Sequence, residues 1–142
     1  MSLQSAASGG GFRRVLQSIA AVMAGLLVVV VLSTAIDAVF HALHVYPPEG
    51  EKMPQPELNL LALSYRIVVT ILGGYIAAWI APAAKMRHAL VLGVIGTAIA
   101  VLGCIVMIPM DYGPAWYPIA LAVTALPCCW LGARLRVGAV KG

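Results

Sequence analysis

Residues 15–43 read VLQSIAAVMAGLLVVVVLSTAIDAVFHAL, a run with no charged side chain before Asp37. As a helix rising about 1.5 Å per residue it would extend about 43 Å, well beyond the roughly 30 Å hydrocarbon core of a bilayer. The run therefore reads as a membrane span that either tilts or projects one end into the headgroups. Its inner part is plain apolar anchor. Its far part is interrupted by Ser33, Thr34, Asp37 and His41.

Working outward, Arg13 and Arg14 precede the run, and Met1–Gly11 before them is rich in Ser, Ala and Gly without apolar periodicity. Residues 1–12 are accordingly expected to form a flexible cytoplasmic tail. Beyond the run, Tyr46–Glu57 carries Pro47, Pro48, Pro54 and Pro56 and reads as a loop, since proline removes donors and biases the residue before it away from helix. Further spans are expected at about 58–81, 88–108 and 115–133, separated by a basic turn at Lys85 and Arg87 and a tight turn from Pro109 to Pro114. Trp116 and Tyr117 open the fourth span with rings suited to a membrane interface. Residues 138–142 are left as a short cytoplasmic tail. The expected fold class is an all-α integral membrane domain over residues 13–137, a four-transmembrane-helix bundle.

Composition supports this reading. Of 142 residues, 62% are hydrophobic and 10% charged, and mean hydropathy is +0.98. A soluble domain carries about 25% charged residues, so a water-soluble fold is excluded. The net charge of +4 does not point to nucleic acid, because the basic residues are scattered in ones and twos at span ends. They report topology instead. Arg13, Arg14, Lys85, Arg87, Arg134, Arg136 and Lys141 fall on one side of the alternating path, and only Lys52 falls in a loop on the other. Seven against one places both termini in the cytoplasm by the positive-inside rule.

An alternative reading takes Arg13, Arg14 and the following run as a signal peptide cleaved after Ala35. The run is longer than a signal core and continues through Phe40–Leu43, which favours a retained span. Cys104, Cys128 and Cys129 all lie within apolar runs and make neither a disulfide framework nor a CxxC pattern.

Helices in lipid associate where small side chains let backbones approach. In the third span Ala89, Gly93, Gly96, Ala100 and Gly103 recur at helical spacing on one face, and Gly73, Ala77 and Ala81 do so in the second. These stripes are expected to pack the bundle or to meet a homo-oligomer or membrane-protein partner. Pro127 is expected to kink the fourth span.

The polar residues of the first span ask for more than packing. Ser33, Asp37, His41 and His44 are spaced by four, four and three, so they share a helix face. Arg66 interrupts the second span, with Thr70 one turn deeper. An unpaired charge at mid-bilayer costs about 2.5–3.5 kcal/mol, so such residues face a partner or water. Counted from Leu43 and Leu60, Asp37 and Arg66 both lie about 9 Å inside the outer boundary. An ion pair between them, extended by His41, is predicted. It would fix helix register, or form part of a polar outer vestibule. Asp37, His41 and His44 also have spacing compatible with a metal, but they equally suit an interface, and no metal or cofactor is expected. No nucleophile and base are placed together, so no catalytic residue is assigned.

Asp37 with His41, Tyr46-Pro47-Pro48, Tyr65-Arg66, Gly73-Gly74-Tyr75, Ala81-Pro82, His88-Ala89-Leu90 and Pro114-Ala115-Trp116-Tyr117-Pro118 together resemble the pattern of small four-span bacterial membrane proteins. The resemblance covers about residues 15–134 and implies a bacterial inner membrane, without implying any chemistry. The chain is less similar to small multidrug transporters, whose first-span carboxylate lies mid-span, or to quinone-coupled disulfide enzymes, which need outward-facing paired cysteines. The expected function is that of a non-enzymatic accessory or assembly protein in the lipid bilayer. The alternative is a small transporter or channel subunit whose polar outer vestibule uses Ser33, Asp37, His41 and Arg66.

Overall fold

A computed structural model describes residues 2–142, with side chains from residue 9 onward. The described chain is helical: α1 (Ser2–Ala42), α2 (Pro56–Ile80), α3 (Lys85–Met110) and α4 (Trp116–Lys141). All four are long and apolar enough to cross a membrane. Helix α2 begins where the sequence prepares it. Gln55 is extended, Pro56 supplies the first-turn φ, and Glu57 sits where the helix dipole favours an acid.

Several boundaries differ from the hydropathy reading. Residues 2–12, expected as a flexible tail, continue α1, while Met1 lies outside the described residues. Nucleating a helix is costly, but extending one already formed adds a hydrogen bond per residue, so a helix can outrun its apolar segment. The same reason carries α4 to Lys141, through most of the expected tail at 138–142 and without a break at Pro127. Likewise α3 takes in Lys85–Arg87 at its start and Pro109 in its last turn. Asp111 then stops it in a left-handed conformation with φ 54.

Among the described residues, α2 packs closely on α1 and α4, and α4 packs closely on α3. Contacts of α3 with α1 and α2 are lighter, and among the described residues the backbones of α1 and α4 do not approach each other. The helices thus run around the bundle in the order α1, α2, α4, α3, with the α1–α3 seam the weakest. Glycines set the close joints. A Cβ on Gly25 would stand 2.8 Å from the Gly73 carbonyl oxygen and 2.7 Å from Leu92 Cδ2. On Gly132 it would overlap the Ile71 carbonyl and stand 2.7 Å from the Tyr75 nitrogen, and on Gly74 it would meet the Cys129 backbone. Gly93 fits against Leu126 and Cys129 in the same way.

The remainder of the predicted α3 stripe behaves differently. A Cβ on Gly96 would meet only Ala125, at 3.7 Å, and on Gly103 nothing within 4 Å, while Ala100 is half-buried. The close α3–α4 approach is therefore made near Gly93. Toward the C-terminus of α3 the Gly103 side of the helix meets no neighbour, and Leu102, Ile105 and Val106 are all exposed.

The α1–α2 and α3–α4 connections lie together at one end. The Met53 amide donates to the Tyr112 carbonyl at 2.7 Å, and Lys52 reaches Asp111 at 2.9 Å. Both members of that ion pair are largely exposed, so it contributes under about 1 kcal/mol. Toward the opposite end the core is formed of small side chains in two clusters, Ala77 with Leu92 and Cys129, and Ala78 with Ala89 and Ala133, all four alanines fully buried.

Candidate functional site

Beneath the two connections lies a cavity of about 460 Å³, within the range of small-ligand sites. Its polar lining includes Asp37 and His41 from α1, Tyr46, Glu49 and Glu51 from the first connection, Asn59 and Arg66 from α2, Tyr112 from the second connection and Tyr117 from α4. The helix frame explains the convergence. Asp37 and His41 are one turn apart on α1, and Arg66 faces them across the α1–α2 joint that Gly25 and Gly73 hold close.

Arg66 Nη2 donates to Asp37 Oδ2 at 2.6 Å, the bridge anticipated from their matched depth. The Tyr65 hydroxyl donates to the other carboxylate oxygen, and the Tyr46 hydroxyl donates to that of Tyr65 at 3.4 Å. A relay of hydroxyls thus runs from the loop to the carboxylate. The Arg66 guanidinium also stands 5.9 Å from the Tyr65 ring centre, within cation–π range. Phe40 packs against both tyrosines, with ring centres 5.2 Å from Tyr46 and 5.7 Å from Tyr65. Burial pushes the Tyr46 phenol pKa upward, so it holds its proton as a donor.

The pair is not sealed. The Arg66 and Asp37 side chains keep 32% and 28% of their surface open. Among the described residues Asp37 is the one side chain that accepts from a guanidinium with five N–H donors. His41 Nδ1 and Arg66 Nε are buried without a protein partner. Such groups cost free energy unless something further completes them.

Other members of the predicted cluster lie apart. His44 falls beyond the end of α1 in a left-handed turn, φ 56, and is exposed. The helix periodicity that placed it beside His41 stops at Ala42. Thr70 donates to the Arg66 carbonyl at 2.6 Å, within its own helix, and does not line the cavity. Ser33 is buried one turn below Asp37, and Thr34 takes the cavity wall instead. Four contributors went unrecognised in the sequence. Tyr117 read as an interfacial ring, Tyr46 as the edge of a loop and Tyr65 only as part of a family-like motif, and Asn59 gave no signal. Asn59 is buried and donates to the Met53 and Gln55 carbonyls, both at 2.9 Å, tying the loop to α2. Its place three residues beyond Pro56 is the one clue available.

Among the described residues no three of His, Cys, Asp or Glu are grouped to hold a metal. Cys128 and Cys129 are buried between helices, away from the cavity. Fold and site together define a class: an all-helical protein with four helices able to cross a membrane and a polar cavity beneath its paired connections. No protein-family model, curated protein or solved structure matches the chain.

Proposed function

We propose that this is a non-enzymatic protein of a bacterial cytoplasmic membrane, with both termini in the cytoplasm, that binds a small ligand in a pocket opening on the outer side. The seven-to-one distribution of basic residues supports the orientation. The single observation that carries the binding role is the cavity of about 460 Å³ with a partly open Asp37–Arg66 pair in its wall. Here the guanidinium Nε is buried without a protein partner, and both side chains stay partly open in the wall of that cavity.

The pocket supports an accessory role better than a conduit. Beyond it, the small-residue joints at Gly73, Gly74 and Gly132 bring backbones together and leave no width for a solute. Binding would act by holding or sensing a ligand, or by completing a surface for a partner protein.

The experiment pairs binding with flux. Melting of the detergent-purified protein is followed across a panel of amines, carboxylates, phosphate esters and lipids, using wild type and Ala115→Trp, which fills the pocket from an exposed position. A ligand that stabilises wild type but not the variant supports the reading. Protein-dependent solute flux in sealed liposomes, with no ligand stabilising the protein, would replace it with the transporter reading.

A further inference from the structure

The pocket is bounded on one side by the weakest seam of the bundle. Helices α1 and α3 meet at Gly25 and Leu92, near the end that bears the termini. Toward the connections they part. There, Thr34 and Ala38 of α1 and Met107 and Ile108 of α3 line the cavity while all four remain exposed. The next turn of α3, Gly103, has no neighbour within 4 Å of a Cβ position. With the helices in a bilayer, that side of the cavity faces hydrocarbon rather than water.

The chemistry of the lining is two-signed. Within the helices Arg66, already paired with Asp37, keeps its Nε without a protein partner on a wall that His41 also lines, whereas Glu49 and Glu51 line the cavity from the exposed loop. A purely anionic ligand would meet those carboxylates, and a purely cationic one would meet the guanidinium. A ligand with an inner anion, an outer cation and an apolar tail satisfies all three surroundings at once. Charge-assisted hydrogen bonds from the guanidinium suit a phosphate, and carboxylates suit an ammonium.

We infer that the pocket takes a zwitterionic aminophospholipid, entering sideways between α1 and α3. Its phosphate lies on Arg66 and His41, its ammonium on Glu49 and Glu51, and its acyl chains leave past Met107 and Ile108. This rests on the reading of the cavity as a binding site.

The test is native mass spectrometry of the full chain released from mild detergent. Equal amounts of phosphatidylethanolamine, phosphatidylglycerol and a cationic lipid without phosphate are added. Phosphatidylethanolamine should be retained about tenfold over either competitor, the discrimination that one charge-assisted hydrogen bond gives. Glu49→Gln with Glu51→Gln, both on the exposed loop, should level it with phosphatidylglycerol. Ala38→Trp, at an exposed position in the lateral gap, should abolish retention while far-ultraviolet circular dichroism stays unchanged. Equal retention of the three lipids, or retention indifferent to Ala38→Trp, overturns the proposal. Water-soluble glycerophosphoethanolamine, added alone, should not bind measurably. If it raises the melting temperature as much as the whole lipid, the lipid source is wrong while the binding pocket stands. If Ala115→Trp and Ala38→Trp change nothing for any compound, the pocket reading fails as well.

Discussion

Removing the charges at Asp37 and Arg66 one at a time and together probes the joint on which the site is built. The substitutions are Asp37→Asn and Arg66→Gln, which keep side-chain shape. An exposed ion pair contributes under about 1 kcal/mol, whereas breaking a buried pair by removing one partner costs about 3–5 kcal/mol. With 32% and 28% of the two side chains open, the expected cost of each single change lies between, at about 2 kcal/mol. Either change leaves the other charge unpaired in a low-dielectric setting. The double variant leaves none, so it should cost about 2 kcal/mol in total rather than 4, a coupling of about 2 kcal/mol. Exchanging the charges, Asp37→Arg with Arg66→Asp, should restore only part of the loss. Tyr65 donates to the carboxylate where it now stands and would face a guanidinium after the exchange. The assay is unfolding by increasing sodium dodecyl sulfate mole fraction in mixed micelles, read by circular dichroism. A coupling below about 0.5 kcal/mol, the scatter expected of independent sites, would refute the claim that the pair joins α1 to α2.

Tyr65→Phe should cost about 1–2 kcal/mol in the same assay, since it strips a hydrogen bond to a charged acceptor. Gly132→Ala should destabilise by about 1–3 kcal/mol, because the added methyl meets Ile71 and Tyr75 backbone that cannot turn aside. Gly103→Ala, with nothing within 4 Å, should be neutral or slightly stabilising. Burial raises the Tyr46 pKa above its unfolded value, so its contribution is complete below about pH 10 and fades as pH climbs through the raised folded value. The alkaline fall in melting temperature should therefore be shallower in Tyr46→Phe, and equal slopes in the two proteins would contradict this.

The number and approximate position of the helices were legible because lipid-length apolar runs leave a strong and simple signal. Their ends were not, since Arg134, Arg136 and the glycines at 9–11 mark where apolarity stops rather than where the backbone stops hydrogen bonding. The ion pair was legible for a related reason: two lone charges inside spans have few places to go, and equal depth singles them out. What escaped was everything set by the loop. Asn59 and Tyr46 act through the path of residues 43–55, which no periodicity encodes. His44 was misplaced by extending helix spacing past the last helical residue. Gly103 repeats the pattern of Gly93, yet a Cβ there would meet nothing within 4 Å. Local spacing tells which residues share a face, and only the crossing of the helices tells how much of that face is used.

The central claim, that the cavity beneath the paired connections holds a ligand, is tested most directly by photocrosslinking in native membranes. A benzophenone amino acid is placed at Ala115, which is exposed and lines the cavity, and separately at Leu102, exposed on α3 away from it. After irradiation, intact-mass spectrometry should show one discrete adduct species at residue 115 and the mixed lipid population of the membrane at residue 102. The same mixed population at both positions, or no adduct at residue 115, would contradict the account.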